Sequence, residues 1–313
     1  MRIGWQQYIK SKFQRKSAFS AVGISLAVDT ACFCALKFSS TEDVVALYHE
    51  APIGNWAEAL ASWTNQNKIG TANCGVSIST QLYSVFQIEK PSVKTEEVHK
   101  ALTWAVKEMA GADAPELVFD YFEPPVQSSG ANNLNVTAMP RQDLEKVING
   151  VLGAGLSLKS VVVEELAICD LVNSDDAVMT MLQRAGEEIH LAIIKQGQLY
   201  FSRSLKGFEN LGSFSLEELQ MGLLDSLTVQ IQRSMDYFES QLRQAPIRKI
   251  LMNIHSANSQ AIGQQISDLM QVDVLPFKPS VTSESVDLHQ VDFSCLGAAL
   301  SASDKKSDQE RVA

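Results

Sequence analysis

Apolar and polar positions along the 313-residue chain fall into two runs that predict the same order of elements. Short β-branched and apolar stretches predict strands, and apolar residues recurring at three- and four-residue steps predict helices. In the first run, Ala21–Leu26 and Ala31–Phe38 predict strands around a short turn. Val44–Glu50 predicts a third, a helix spans Trp56–Asn67, and a strand follows at Ala72–Ser77. In the second run, Val178–Leu182, Ile189–Ile194 and Leu199–Leu205 predict three strands, Leu216–Arg243 a long helix, and Lys249–Ile254 a strand leading into a further helix. The repetition of this order outweighs any single assignment, and two such halves facing each other would enclose a cleft.

Local signals fill in the remainder. Asn55, with Glu58 three residues on, has the spacing of a helix N-cap. A helix beginning after Pro91 and Thr95 carries Glu96 and Glu97 in its first turn and an apolar stripe of Val98, Leu102, Ala105 and Met109, ending near Gly111. Asp120–Pro125 closes a strand, 127–133 reads as a polar loop, Asn135–Met139 returns as a strand, and Arg141–Leu152 forms a helix stopped by Gly153 and Gly155. This glycine pair is the expected domain boundary. Beyond it, Leu158–Val163 has the β-branched character of a strand buried on both faces, and Glu164–Leu171 suits a short helix. Ser215-Leu216-Glu217-Glu218 is a capping box. It opens the stripe Leu216, Leu219, Leu223, Leu227, Ile231, Met235, Phe238 and Leu242, which is core packing. Residues 301–313 are polar and charged and are expected to be a disordered tail.

Composition narrows the function classes. A formal charge of −10 argues against nucleic acid as a partner. Five cysteines without a Cys-x-x-Cys pair give neither a disulfide framework nor a zinc site, which fits a reducing cytoplasm. Cys32 and Cys34 share a strand face and read as small core residues. Residues 1–17 form a basic amphipathic segment in which Trp5, Ile9 and Phe13 share a helical face among Arg2, Lys10, Lys12, Arg15 and Lys16. That pattern suits peripheral contact with an anionic membrane surface, each base adding about 1 kcal/mol; a basic tail without structure is the plainer alternative. Ala18–Leu36 contains one charge, Asp29, and is read as a buried strand pair rather than a membrane anchor.

Several segments resemble a known family in their order: Val22-Gly23-Ile24-Ser25, Glu97–Trp104, Asp120-Tyr121, Gln198–Gly207 with its Phe-x-Arg, 232–240 and Val274-Leu275-Pro276-Phe277. Together they are similar to the PilM-like cytoplasmic assembly proteins of type IV pili, and among them to the form serving the mannose-sensitive haemagglutinin (MSHA) pilus. The resemblance covers about residues 20–300. It implies an α/β, actin-like ATPase fold: one RNase H-like domain over 18–153, with an inserted α/β subdomain at about 85–150, and a second over 154–300. It also implies a cytoplasmic location at the inner membrane. The expected partner is the cytoplasmic N-terminal segment of a single-pass, PilN-like membrane protein, bound by the inserted subdomain.

In that fold, nucleotide phosphates lie at the two hairpin turns, where backbone N–H groups and glycine permit close approach and an acid organises magnesium. Family members that retain ATP show an Asp-x-Gly pattern in both turns. Here Ser25 and Ala27 stand in the first and Gln183 and Ala185 in the second, with Glu187 and Glu188 adding negative charge. His255-Ser256-Ala257-Asn258 replaces a Gly-Gly pair expected near the adenosine. The expectation is a degenerate cleft with ATP and magnesium disfavoured, and no residue is assigned a catalytic, cofactor-binding or metal-binding role. Asp29 is read as a turn residue and Arg203 as a structural arginine. His49, His99, His190, His255 and His289 show no ligand spacing. A non-catalytic scaffold of the pilus platform is the leading reading; the alternative is an ATP-binding switch of a pilus or type II secretion platform.

Overall fold

The computed structural model describes residues 17–39, 43–111, 113–283 and 285–303. The segment bearing Arg2, Trp5, Ile9, Lys10, Lys12, Phe13, Arg15 and Lys16, and the tail beyond residue 303, lie outside the described residues.

Strands β1 (Ala21–Leu26), β2 (Thr30–Phe38) and β3 (Asp43–Pro52) form an antiparallel meander. Helix α1 (Trp56–Gln66) then leads to β4 (Asn73–Ile78), which pairs in parallel with β1. Asn55 precedes α1 after a short 3₁₀ turn and makes no side-chain cap bond, so the expected cap is absent there, although Glu58 does occupy the first turn.

An insertion follows. Strand β5 (Ser84–Glu89), helix α2 (Thr95–Ala110), β6 (Leu117–Phe122) and β7 (Asn133–Pro140) make a small sheet of order β5-β7-β6 around its own core of Ile88, Val98, Leu102, Val106, Leu134 and Val136. Val106 completes the buried stripe of α2; Met109, expected on that face, is exposed. Helix α3 (Arg141–Gly153) returns the chain to the main body, where its Val147 and Val151 pack with Leu60 and Trp63 of α1 over Val22, Ile24 and Phe33.

The first sheet does not end at the Gly153 to Gly155 turn. Strand β8 (Ser157–Val163) pairs in parallel with β4 and is the edge of a sheet of order β14-β3-β2-β1-β4-β8, whose far edge is β14 (Thr282–Ser283). As an edge strand, β8 is half-buried except for the exposed Lys159, and is not enclosed on both faces as its sequence suggests. Those glycines punctuate a helix end, which is a local event and not a domain limit.

After helix α4 (Glu164–Cys169), the meander recurs as β9 (Val178–Gln183), β10 (Ile189–Lys195) and β11 (Gln198–Leu205). Strands β12 (Lys249–Ile254) and β13 (Asp273–Pro276) extend it to the order β11-β10-β9-β12-β13. The predicted long helix is broken. Its capping box at Ser215 and Glu218 forms, but Met221 and Gly222 leave helical geometry, Gly222 at φ 108°, before α5 (Leu224–Asp236) resumes. The apolar stripe changes register at the break. Leu219, Leu227, Ile231, Met235 and Phe238 are buried in the second core as expected, but Leu224 takes the buried place expected of Leu223, which is only partly buried; Ile262 and Ile266 of α6 (Ser259–Met270) pack with them.

The final helix, α7 (Phe293–Ala302), extends past residue 300 and lies on β1 and β4 of the first sheet, opposite α1 and α3. Gly23 and Gly75 make room for it: a Cβ at either would stand 2.0 Å from a backbone carbonyl oxygen of α7. Cys32, Cys34 and Cys295 fill the same interface as small buried thiols, as expected for the first two. That interface also takes in Val178, Ala192 and Ile194 of the second sheet, so one apolar layer joins the halves.

Candidate functional site

The turn after β9 lines a cleft of about 810 Å³ between the halves, and Thr30, at the exit of the turn after β1, lines its other side. The first turn is tight, with the Ala27 N–H donating to the Thr30 carbonyl at 2.9 Å, and Ser25 at its entrance is buried. In the second turn, Gln183 is buried and donates through Nε2 to the carbonyls of Glu187 and Phe208 at 2.9 and 2.7 Å, while Ala185 is exposed.

Between them stands Arg184, which no local sequence pattern singles out. Alternation along β9 puts it on the face that carries Val178 and Leu182 toward the first half. Its Nε pairs with Asp292, the N-cap of α7, and its Nη1 with Glu187 at 3.0 Å and with Glu164 of α4 at 3.3 Å. Its Nη2 donates to Ser294 Oγ at 2.7 Å and to Ser25 Oγ and Glu164 Oε2 at 3.3 Å each. Ser294 Oγ lies 3.1 Å from Ser25 Oγ and donates to Asp292 Oδ1 at 2.6 Å. Glu164 also accepts from Ser79 Oγ at 3.3 Å and the Thr80 N–H at 3.1 Å. One guanidinium therefore links the second turn to β1, α4, α7 and, through Glu164, the loop after β4.

The electrostatics follow from burial and pairing. Burial opposes the charge on Arg184, but Asp292, Glu164 and Glu187 more than reverse this and hold it ionised. Burial alone would raise the Asp292 carboxyl; Arg184, Ser294 and the Cys295 N–H outweigh it and keep it below the usual aspartate range. Glu187 is raised, first by burial, which Arg184 counters only in part while Glu164 and Asp292 add to it.

The other candidate residues separate. Arg203 donates to the carbonyl and Oε1 of Gln230 at 2.9 and 2.8 Å, a structural pairing, and Asp29 lies exposed in the first turn. His99 stacks on Phe119 in the insertion, and His49 packs beside Phe33. His190, His255 and His289, scattered in sequence, all line the cleft, as do Ser256 and Ala257. Among the described residues no group of three or more His, Cys, Asp or Glu could hold a metal ion, and no helix is long and apolar enough to cross a membrane.

No protein-family model and no curated protein matches the sequence. Solved structures do match the fold. The PilM–PilN type IV pilus biogenesis complex is similar with a TM-score of 0.65 at 16% identity, over 91% of this chain and 99% of that one. The cytoplasmic domain of EpsL, an inner-membrane component of the Vibrio cholerae type II secretion system, gives 0.51 at 12% identity, over 90% and 94%. A Bacteroides thetaiotaomicron protein of actin-like ATPase fold and unknown function gives 0.48 at 9% identity, over 84% and 93%. The chain has the actin-like ATPase fold. At these identities the likeness establishes the fold alone, and the roles of those proteins are theirs.

Proposed function

We propose that this chain is a non-catalytic, actin-like scaffold at the cytoplasmic face of the inner membrane, in the platform that assembles a type IV pilus of the MSHA kind. The observation that carries the reading is Arg184. In a nucleotide-binding member of this fold, phosphates and a metal join the two turns; here a side chain of the second turn already reaches Ser25 in the first. A triphosphate entering that gap meets Glu164, Glu187 and Asp292, and would have to displace their common partner. The positioned charge stabilisation that phosphoryl transfer requires is not supplied by this set.

The likeness to the PilM–PilN complex supports a PilN-like, single-pass membrane partner whose cytoplasmic segment docks on the insertion, and the basic residues 1–16 would raise the local concentration at the bilayer. A pull-down from detergent-solubilised inner membranes, read by mass spectrometry, tests this: recovery of a single-pass pilus-assembly protein supports it, and recovery of secretion components instead would favour a type II secretion platform. Wild-type membrane partition after deletion of residues 1–16 would remove the anchoring role. The nucleotide question is separate. Mg-ATP at 100 times its dissociation constant stabilises a binding protein by about 2.7 kcal/mol, whereas no thermal shift is expected here; a shift of that size would restore the ATP-binding switch.

A further inference from the structure

The cleft carries more negative charge than Arg184 balances. Glu164, Glu187 and Asp292 converge on this one guanidinium, and the side chains of Glu164 and Asp292 are only 8% and 6% exposed. Glu50 and Glu188 add two more carboxylates to the lining, in which Arg184 is the sole Lys or Arg among the described residues. Glu50 is exposed, but the buried Glu164 and Asp292 charges are screened far less than charges on an open surface. The Glu187 carboxyl is raised chiefly by burial, with smaller contributions from Glu164 and Asp292.

A second, independent observation points to a ligand. His190, 8% exposed, lines the cleft with neither Nδ1 nor Nε2 hydrogen-bonded, and Gln183, 9% exposed, leaves Oε1 unpaired after both its amide bonds are made. Buried polar groups are ordinarily satisfied. The Gln183 amide oxygen accepts, and a neutral His190 ring presents one acceptor nitrogen beside one N–H, so a donor group would satisfy two of the three unpaired atoms. A divalent metal does not fit, because the acids are not gathered in ligand geometry. A primary ammonium does fit, since it brings three donors and a full charge without demanding a fixed coordination shell. The volume of about 810 Å³ falls within the range of small-molecule sites.

We propose that the cleft is a binding site for a small linear polyamine, whose ammonium groups offset the surplus carboxylates and donate to the unpaired buried acceptors. The site goes beyond the scaffold reading: it assigns the former nucleotide cleft a ligand of opposite charge.

Calorimetric titration of spermidine into the full chain at fixed ionic strength tests it, with Mg²⁺ titrated separately. Saturable binding at one site per chain is expected, weakened about tenfold or more when Glu50→Gln and Glu188→Gln are combined. Glu217→Gln, on an exposed turn outside the cleft, leaves the affinity unchanged. In the wild-type protein the imidazole NMR signals of His190 move over the same spermidine range, a readout that holds even if the double variant does not fold. Absence of saturation, undiminished affinity in the double variant, an equal response to Mg²⁺, or unmoved His190 signals would each overturn the site.

Discussion

The two hairpin turns that face each other across the cleft depart from the nucleotide-binding pattern in opposite ways. The first has become small and mute: Ser25 and Ala27 are buried, and Ser25 offers one hydroxyl. The second has become large and assertive, with a glutamine folded under its own turn and an arginine reaching across to three other elements, β1, α4 and α7. A small buried turn on one side leaves little to bind with, and a cation on the other ties the halves directly through Ser25, Asp292 and Ser294. Under the scaffold reading proposed above, that tie would stand where a ligand otherwise would.

This asymmetry can be broken most forcefully at Arg184. Arg184→Ala leaves Glu164 and Asp292 buried without their common partner, and breaking a buried pair in this way costs about 3–5 kcal/mol. Urea unfolding measures it, and a loss below about 1 kcal/mol would show that the second turn does not hold the halves together. The closing helix provides the next contrast. Gly75→Ala forces a Cβ onto the Ala298 carbonyl and should cost about 1–3 kcal/mol or more by overpacking, read as a lowered melting temperature.

Acid offers a third test, with a definite sign. Because Asp292 is held below its ordinary range, its contribution is complete above the unfolded value of about 3.9 and is lost as pH falls through the folded value. Glu187, raised by burial, acts oppositely: its contribution is present at low pH and is lost as pH rises through its folded value. Unfolding free energies measured from neutrality to below about pH 4 should therefore fall more steeply for the wild type than for Asp292→Asn. The mildest change sharpens the comparison from the other side. Ser25→Ala removes a single hydroxyl and should cost only about 0.5–1.5 kcal/mol, several-fold less than the arginine opposite.

The meanders were legible because strand alternation and turn residues are short-range signals, and both came through with their ends within two residues of expectation. The replacements at Ser25, Ala27, Gln183 and Ala185 were legible too, since each stands in a turn whose place the strands define. Arg184 sat between two of them and was missed: its partners Glu164 and Asp292 lie 20 and 108 residues away, and no local pattern joins them. The break at Gly222 was hidden because Leu219, Leu223 and Leu227 keep an unbroken four-residue spacing in the sequence, while the kink turns Leu224 and not Leu223 into the core. Helix α7 was obscured for the reverse reason, since Phe293–Ala302 is almost wholly small and apolar and lacks the polar face that gives a helix its period.

The return of α7 to the first sheet also sets an order of events at the ribosome. Strand β8 ends at residue 163, yet the helix that covers β1 and β4 is complete only at residue 302. At about 5–20 residues per second, the unfinished face waits on the order of ten seconds for its cover. During synthesis Cys32, Cys34 and Leu36 stay open to solvent and to chaperones, and a nascent chain stopped short of Phe293 leaves its oldest strands bare.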